Sequence, residues 1–268
     1  METIMTSIQS LNMPHHMKAR IQNLTQNQVK NNLDMQENLQ KTSEEYRCSK
    51  CRDLRYIIEN DEAIPCECKS LREAEEILKR SGISEGFRKK NFENFNYKHD
   101  INLLKAYTTA TTYVKNFHRL LPSRNNSVMF LGQVGSGKTH LSMAISNILM
   151  DNGVGVLYMP YRESIIKLKQ NIMDNEYYTR EISRFKNAKV LYIDDLFKGS
   201  ISGSDINTMF EIINHRYFNG MPVIVSCEKS VDELLRIDEA IGSRLIEMCS
   251  GFIVEIKDRK LNYRMYSN

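Results

Sequence analysis

The chain has 268 residues, 41% of them apolar, which allows about two domains and a real core in at least one of them. Its 37 basic and 33 acidic side chains leave a formal charge of +4, too mild to name nucleic acid as a partner from charge alone. No run approaches the roughly 18 apolar residues that span a bilayer, and residues 1–30 lack the apolar stretch of a signal peptide, so no membrane role and a cytoplasmic address are expected.

Residues 1–45 are rich in Gln, Asn, Met and Lys. Their sparse apolar positions (Ile21, Leu24, Val29, Leu33, Met35, Leu39) predict a weakly amphipathic helical arm, either a partner surface or a solvated tail. Four of the six cysteines follow within 21 positions, as Cys48-x2-Cys51 and Cys66-x-Cys68, while Cys227 and Cys249 lie among apolar neighbours and read as core. In a reducing compartment such a cluster points to metal or free thiols before disulfides. Four thiolates in two close pairs suit tetrahedral Zn²⁺, and the 14 residues between the pairs, with Tyr56, Ile57, Ile58 and Ile64, can fold back over the ion. The second pair is tighter than the usual two-residue knuckle. Four protein ligands leave no open position, so such a metal is structural.

Ser70 and Glu73 form a capping-box start to a helix carrying Leu71, Ala74, Ile77 and Leu78 on one face, and Gly82 ends it. The next segment sets Phe87, Phe92, Phe95 and Tyr97 among basic residues, a linker whose aromatics need the surface of the following domain. The expected organisation is a helical arm and zinc module over 1–82, a linker over 83–99 and a larger domain over 100–268. In that domain helices about 101–120, 138–150, across 161–187, 204–218 and 231–249 alternate with strands 127–132, 155–160, 189–194, 222–227 and 252–257. Repeated alternation of this kind predicts an α/β fold with a mainly parallel five-stranded sheet covered on both faces, a three-layer sandwich.

The first strand of this domain runs into Gly-Gln-Val-Gly-Ser-Gly-Lys-Thr at 132–139, a Walker A loop, and a helix follows. Glycines let successive N–H groups curl inward as a nest for an anion. The segment formed by Gly132, Val134, Gly135, Ser136, Gly137, Lys138, Thr139 and His140 is the expected triphosphate cradle. Lys138 reaches the β and γ phosphates, and the Thr139 hydroxyl ligates Mg²⁺. The apolar strand Val190–Ile193 ends in Asp194 and Asp195, a Walker B: Asp194 steadies Mg²⁺ and Asp195 orients or deprotonates the attacking water. The insertion after the second strand interleaves Tyr161, Tyr177 and Tyr178 with Arg162, Lys167, Lys169, Arg180, Arg184 and Lys186, with acids only partly offsetting them. That composition suits single-stranded nucleic acid, and nearly as well a solvated helix pair with a buried tyrosine.

Together the cysteine cluster, Phe92-Glu-Asn-Phe95, the Walker motifs, Gly242-Ser-Arg-Leu245 and a terminal Asn-Tyr-Arg make the chain resemble bacterial and phage helicase loaders of the DnaC/DnaI type, members of the AAA+ ATPase superfamily, over about 48–268. The resemblance implies an AAA+ P-loop fold and an ATP hydrolase that loads a replicative hexameric DNA helicase onto single-stranded DNA. It implies ATP, Mg²⁺ and Zn²⁺ as cofactors, with Cys48, Cys51, Cys66 and Cys68 holding zinc in a helicase-binding module. Arg244 stands where the family places an arginine acting on a neighbouring subunit, so self-association through the ATPase domain is implied, although Met248 replaces a second arginine found in some relatives. Arg264 resembles the family's sensor 2. The strand ending in Ser226, Cys227 and Glu228 departs from the polar sensor 1 pattern, leaving Ser226 and Glu228 as candidates. Asp195, shorter than the glutamate of many superfamily members, implies weak turnover alone. The alternatives are a transposition ATPase of the IstB type, against which the cysteine module argues, a P-loop kinase, and a nucleotide-gated adaptor with negligible hydrolysis.

Overall fold

The computed structural model describes residues 46–59, 62–69, 72, 73, 76, 85–98 and 100–266; the arm expected over 1–45 and the helix start at Ser70 lie outside them. The chain divides into two compact units between Cys68 and Lys69.

In the first unit, β1 (Tyr56–Glu59) pairs antiparallel with β2 (Glu62–Pro65), Tyr56 standing opposite Pro65. The segment expected to fold back between the cysteine pairs is therefore a hairpin. Cys66 N–H donates to the Arg55 carbonyl at 2.9 Å, which carries the ladder one step further and returns the second cysteine pair to the first.

The second unit opens with the short α1 (Glu85–Arg88) and α2 (Ile101–Leu120). Asp100 caps α2 by accepting from the N–H groups of Asn102 and Leu103, and Ala106, Ala110, Tyr113 and Phe117 form its buried stripe. There follow β3 (Val128–Gly132), α3 (Lys138–Asp151), β4 (Val156–Pro160), α4 (Tyr161–Gln170), α5 (Asn175–Asn187) and β5 (Val190–Leu196). The unit continues through α6 (Gly203–Phe218), β6 (Val223–Cys227), α7 (Val231–Ile237), α8 (Glu239–Met248), β7 (Ile253–Ile256), a 3-10 turn (Arg259–Leu261) and α9 (Tyr263–Tyr266). Capping boxes Ser202/Asp205 and Ser230/Glu233 start α6 and α7.

The five strands form one parallel sheet in the order β4-β5-β6-β3-β7. Alternate strand residues feed two cores. Met129, Leu131, Leu191, Ile193, Val223 and Val225 pack with α4 to α8 on one face, while Val128, Phe130, Val190, Tyr192, Ile224 and Val254 pack with α2 and α3 on the other. The three-layer α/β expectation holds, with one informative difference at β5. That strand does not stop at Asp194 but runs on to Leu196, through a register shift against β6 between Ile193 and Leu196. No helix among the described residues is long and apolar enough to cross a membrane.

Arg216 of α6 is fully buried and ties three elements by backbone contacts alone. Its Nη1 donates to the carbonyls of Phe185, Lys186 and Ala188 at 2.9, 3.1 and 2.9 Å, and Nη2 donates to Pro222 at 2.7 Å. Burial pushes its pKa down to about 9, still above neutrality, so the four carbonyls solvate a cation in place of water. Replacing Arg216 with Leu strands those carbonyls, and urea unfolding at pH 7 is expected to register a loss of about 3 kcal/mol.

Candidate functional site

The loop between β3 and α3 is wound by left-handed glycines. Gly137 has φ +88°, and a Cβ there would come within 2.5 Å of Phe95 Cε2. Gly135 has φ +73°, and its missing Cβ is what lets the Asn262 side chain lie against the loop. The loop is thus clasped from two directions. On one side the segment 85–97 is pinned to α3: Asn147 donates to the carbonyls of Phe87 and Lys90 at 3.1 and 2.8 Å, and His140 Nε2 lies 2.9 Å from the Asn91 carbonyl. Phe95 is buried and meets the His140 ring edge-on, so the linker aromatics do find the surface they needed. On the other side Tyr263 N–H donates to the Gly135 carbonyl at 3.0 Å.

Between these clasps opens a cleft of about 1080 Å³. Val134, Gly135, Ser136, Gly137, Lys138, Thr139, His140, Asp195 and Arg264 all line it. Lys138 is 5% exposed, with Nζ donating to the Gly132 and Gln133 carbonyls at 2.8 and 2.6 Å. Burial lowers its pKa, and Glu228 and Asp195 oppose that shift. Gly132 lies beneath the loop as one of these acceptors.

Asp194 stands behind the cleft wall, 8% exposed. Its Oδ1 accepts from Thr139 Oγ1 at 3.0 Å, Tyr192 at 2.7 Å and Ser226 at 2.5 Å, and its Oδ2 accepts from Tyr158 at 3.1 Å. Burial, and then the neighbouring carboxylate, raises both tyrosine pKa values, so the phenols stay protonated donors. Thr139 and Asp194, 55 positions apart, are therefore one hydrogen-bonded unit suited to a hard cation. Ser226 also accepts the Asp195 N–H at 2.9 Å; being fully buried, it positions the two acids and is not on the cleft.

Asp195 occupies the left-handed region at φ +55°, as does Phe197 at +57°. This tight turn brings Lys198 back to the cleft, where Nζ pairs with Asp195 Oδ2 at 2.7 Å and Glu228 Oε1 at 2.8 Å. Sequence reasoning missed Tyr158, Tyr192 and Lys198: Tyr158 acts from a different strand, Tyr192 reads as one more apolar position of its own strand, and Lys198 follows an irregular turn.

Arg244 lies outside the cleft. It donates to the Ala240 carbonyl at 2.8 Å and rests over the Phe210 and Tyr217 rings at 5.3 and 5.4 Å. The basic insertion is more neutral than its composition implied: Arg184 pairs with Glu181 at 2.7 Å, Lys186 with Glu211 at 2.6 Å, and Lys169 with Asp205. Tyr161 is buried. Tyr177, Lys167 and Arg184 nevertheless share a cleft of about 280 Å³ between α4 and α5.

In the first unit the ligand atoms of Cys48, Cys51, Cys66 and Cys68 all lie within 4.8 Å of one another. Cys48 and Cys66 sulfurs are 3.8 Å apart and those of Cys51 and Cys68 3.4 Å. A tetrahedron with metal–sulfur bonds of about 2.3 Å has edges of about 3.8 Å, so the donor set fits zinc. Arg55 N–H donates to Cys51 Sγ at 3.3 Å, the kind of outer contact that fixes a thiolate.

The chain is 39% identical over 209 residues to the uncharacterized protein YqaM of Bacillus subtilis, covering 75% of this chain and 66% of that one, slightly under two thirds of the relative's length. It is 35% identical over 233 residues to the phage-like element PBSX protein XkdC of the same organism, covering 82% and 86%. A crystal structure of the DnaC helicase loader superposes with a TM-score of 0.52 at 25% identity, covering 65% of this chain and all of that one. The model of the family described as IstB-like ATP binding protein matches residues 22–261, so this AAA+ ATPase belongs to the IstB-like ATP-binding family, whose fold it shares with DnaC.

Proposed function

We propose that the chain is a helicase loader: its ATPase unit switches with nucleotide state while placing a replicative hexameric DNA helicase onto single-stranded DNA, in the cytoplasm. One observation carries this reading. A closed four-cysteine cluster precedes an ATPase unit similar to the DnaC helicase loader, and neither nucleotide binding nor hydrolysis needs such a cluster. Residues 1–82 serve as the helicase-binding module, with zinc as a structural brace, 83–99 as the linker and 100–268 as the motor. A transposition ATPase is the second reading, and the IstB-like family model favours it; the partner, helicase or transposase, separates the two.

In the cleft Lys138 exchanges its contacts with the Gly132 and Gln133 carbonyls for phosphate oxygens. Thr139 and Asp194 hold magnesium, which when bound neutralises charge on the terminal phosphates. Asp195 orients the attacking water, and Arg264, on the cleft wall, reads the nucleotide of its own subunit. Arg244, kept out of its own cleft, serves the neighbouring subunit, so turnover rises on assembly. Single-stranded DNA is held at the α4–α5 face, where Tyr177 supplies a ring and Lys167 a cation.

Lys138→Ala is expected to weaken ATP binding by about 100-fold in equilibrium titration, the loss of one charged hydrogen-bonding group. The purified chain is expected to carry one zinc by elemental analysis, and Cys48→Ser with Cys66→Ser to lose it. Co-purification with a hexameric replicative helicase should succeed with the intact chain and fail without residues 1–80; capture of a transposase in place of helicase would transfer the assignment to the second reading.

A further inference from the structure

The end of β6 presents an electrostatic problem. Asp195 and Glu228 both line the cleft that faces the phosphate loop, and two carboxylates there repel a triphosphate. Lys198 cancels half of that charge. Its ammonium has three N–H donors, of which Asp195 and Glu228 engage two, at 2.7 and 2.8 Å, leaving one for a further acceptor.

Lys198 is held in place by more than these pairs. The chain turns there through two left-handed residues, Asp195 and Phe197, a conformation disfavoured for residues other than glycine. Phe197 is fully buried and packs edge-on against Tyr161 at 5.6 Å, and Lys198 N–H donates to the Asp195 carbonyl at 3.1 Å. The strained turn is thus locked by core packing with Lys198 facing the cleft. Burial lowers the pKa of Lys138; Glu228 and Asp195 oppose that shift, and Lys198 adds to it.

We propose that Lys198 is a second cation of the triphosphate site, a ligand for the terminal phosphate, and that Glu228 is its positioning residue. This deepens the reading of the cleft as the ATP site and rests on it. Glu228, one of the two sensor 1 candidates, then acts indirectly: it holds a cation that does the reading.

The test is equilibrium binding of a non-hydrolysable ATP analogue, AMPPCP, and of ADP, each with magnesium, to the full chain. Lys198→Ala is expected to weaken AMPPCP by about tenfold or more and ADP by less than about threefold, because only the triphosphate carries the group this cation meets. Lys198→Arg should restore most of the difference, and adding Glu228→Gln to Lys198→Ala should recover part of it by removing an unpaired acid. Unchanged AMPPCP binding by Lys198→Ala, or equal losses for both nucleotides, overturns the proposal while leaving the cleft as the ATP site. A wild-type chain that binds neither nucleotide overturns the reading of the cleft and this proposal with it.

Discussion

One buried carboxylate organises the ATPase unit. Asp194 receives hydroxyl hydrogen bonds from Thr139 at the start of α3, Tyr158 on β4, Tyr192 on its own strand and Ser226 on β6. A buried anion left without partners is strongly disfavoured, and here four donors from four elements supply what water supplies outside. The same donors fix the distance between the phosphate loop and the strand that carries both acids. Sheet order makes this possible: β6 lies between β3 and β5, so a short side chain on the central strand reaches both aspartates.

The neighbouring Asp195 has the opposite circumstances. It sits at an irregularity in the ladder, in a left-handed backbone conformation, with its carboxylate on the cleft and bound to a lysine. Two adjacent acids therefore play different parts for a reason visible in their surroundings: one is immobilised in the protein interior, the other is presented to the solvent side on a strained turn.

Much of this was legible in the sequence wherever local pattern and global fold agree. The apolar runs at β3, β5 and β6 and the helical spacing in α2 and α3 place the elements to within a residue or two, because a sheet buried on both faces leaves few other patterns. The Walker A loop is self-contained, its glycines and lysine adjacent in the chain. The unread features share a cause: each depends on how the chain turns or packs in space, which no local spacing records. Nothing local marks Arg216 as a core cation gripping the carbonyls at the end of α5 and just before β6, or Lys198 as a cleft residue, and counting charges in the α4–α5 insertion overstates its basicity because Lys169 and Lys186 find their acids on α6. The cysteine spacing shows a cluster but not the hairpin that closes it.

The clasping of the phosphate loop by Phe95 from one flank and by Asn262 and Tyr263 from the other has a mechanical corollary. A segment that precedes α2 and a segment that follows β7 converge on the phosphate loop. Each segment is a single van der Waals contact or hydrogen bond away from that loop. Displacement of the loop and displacement of either flanking segment are thereby coupled through direct contacts, without requiring the sheet to deform.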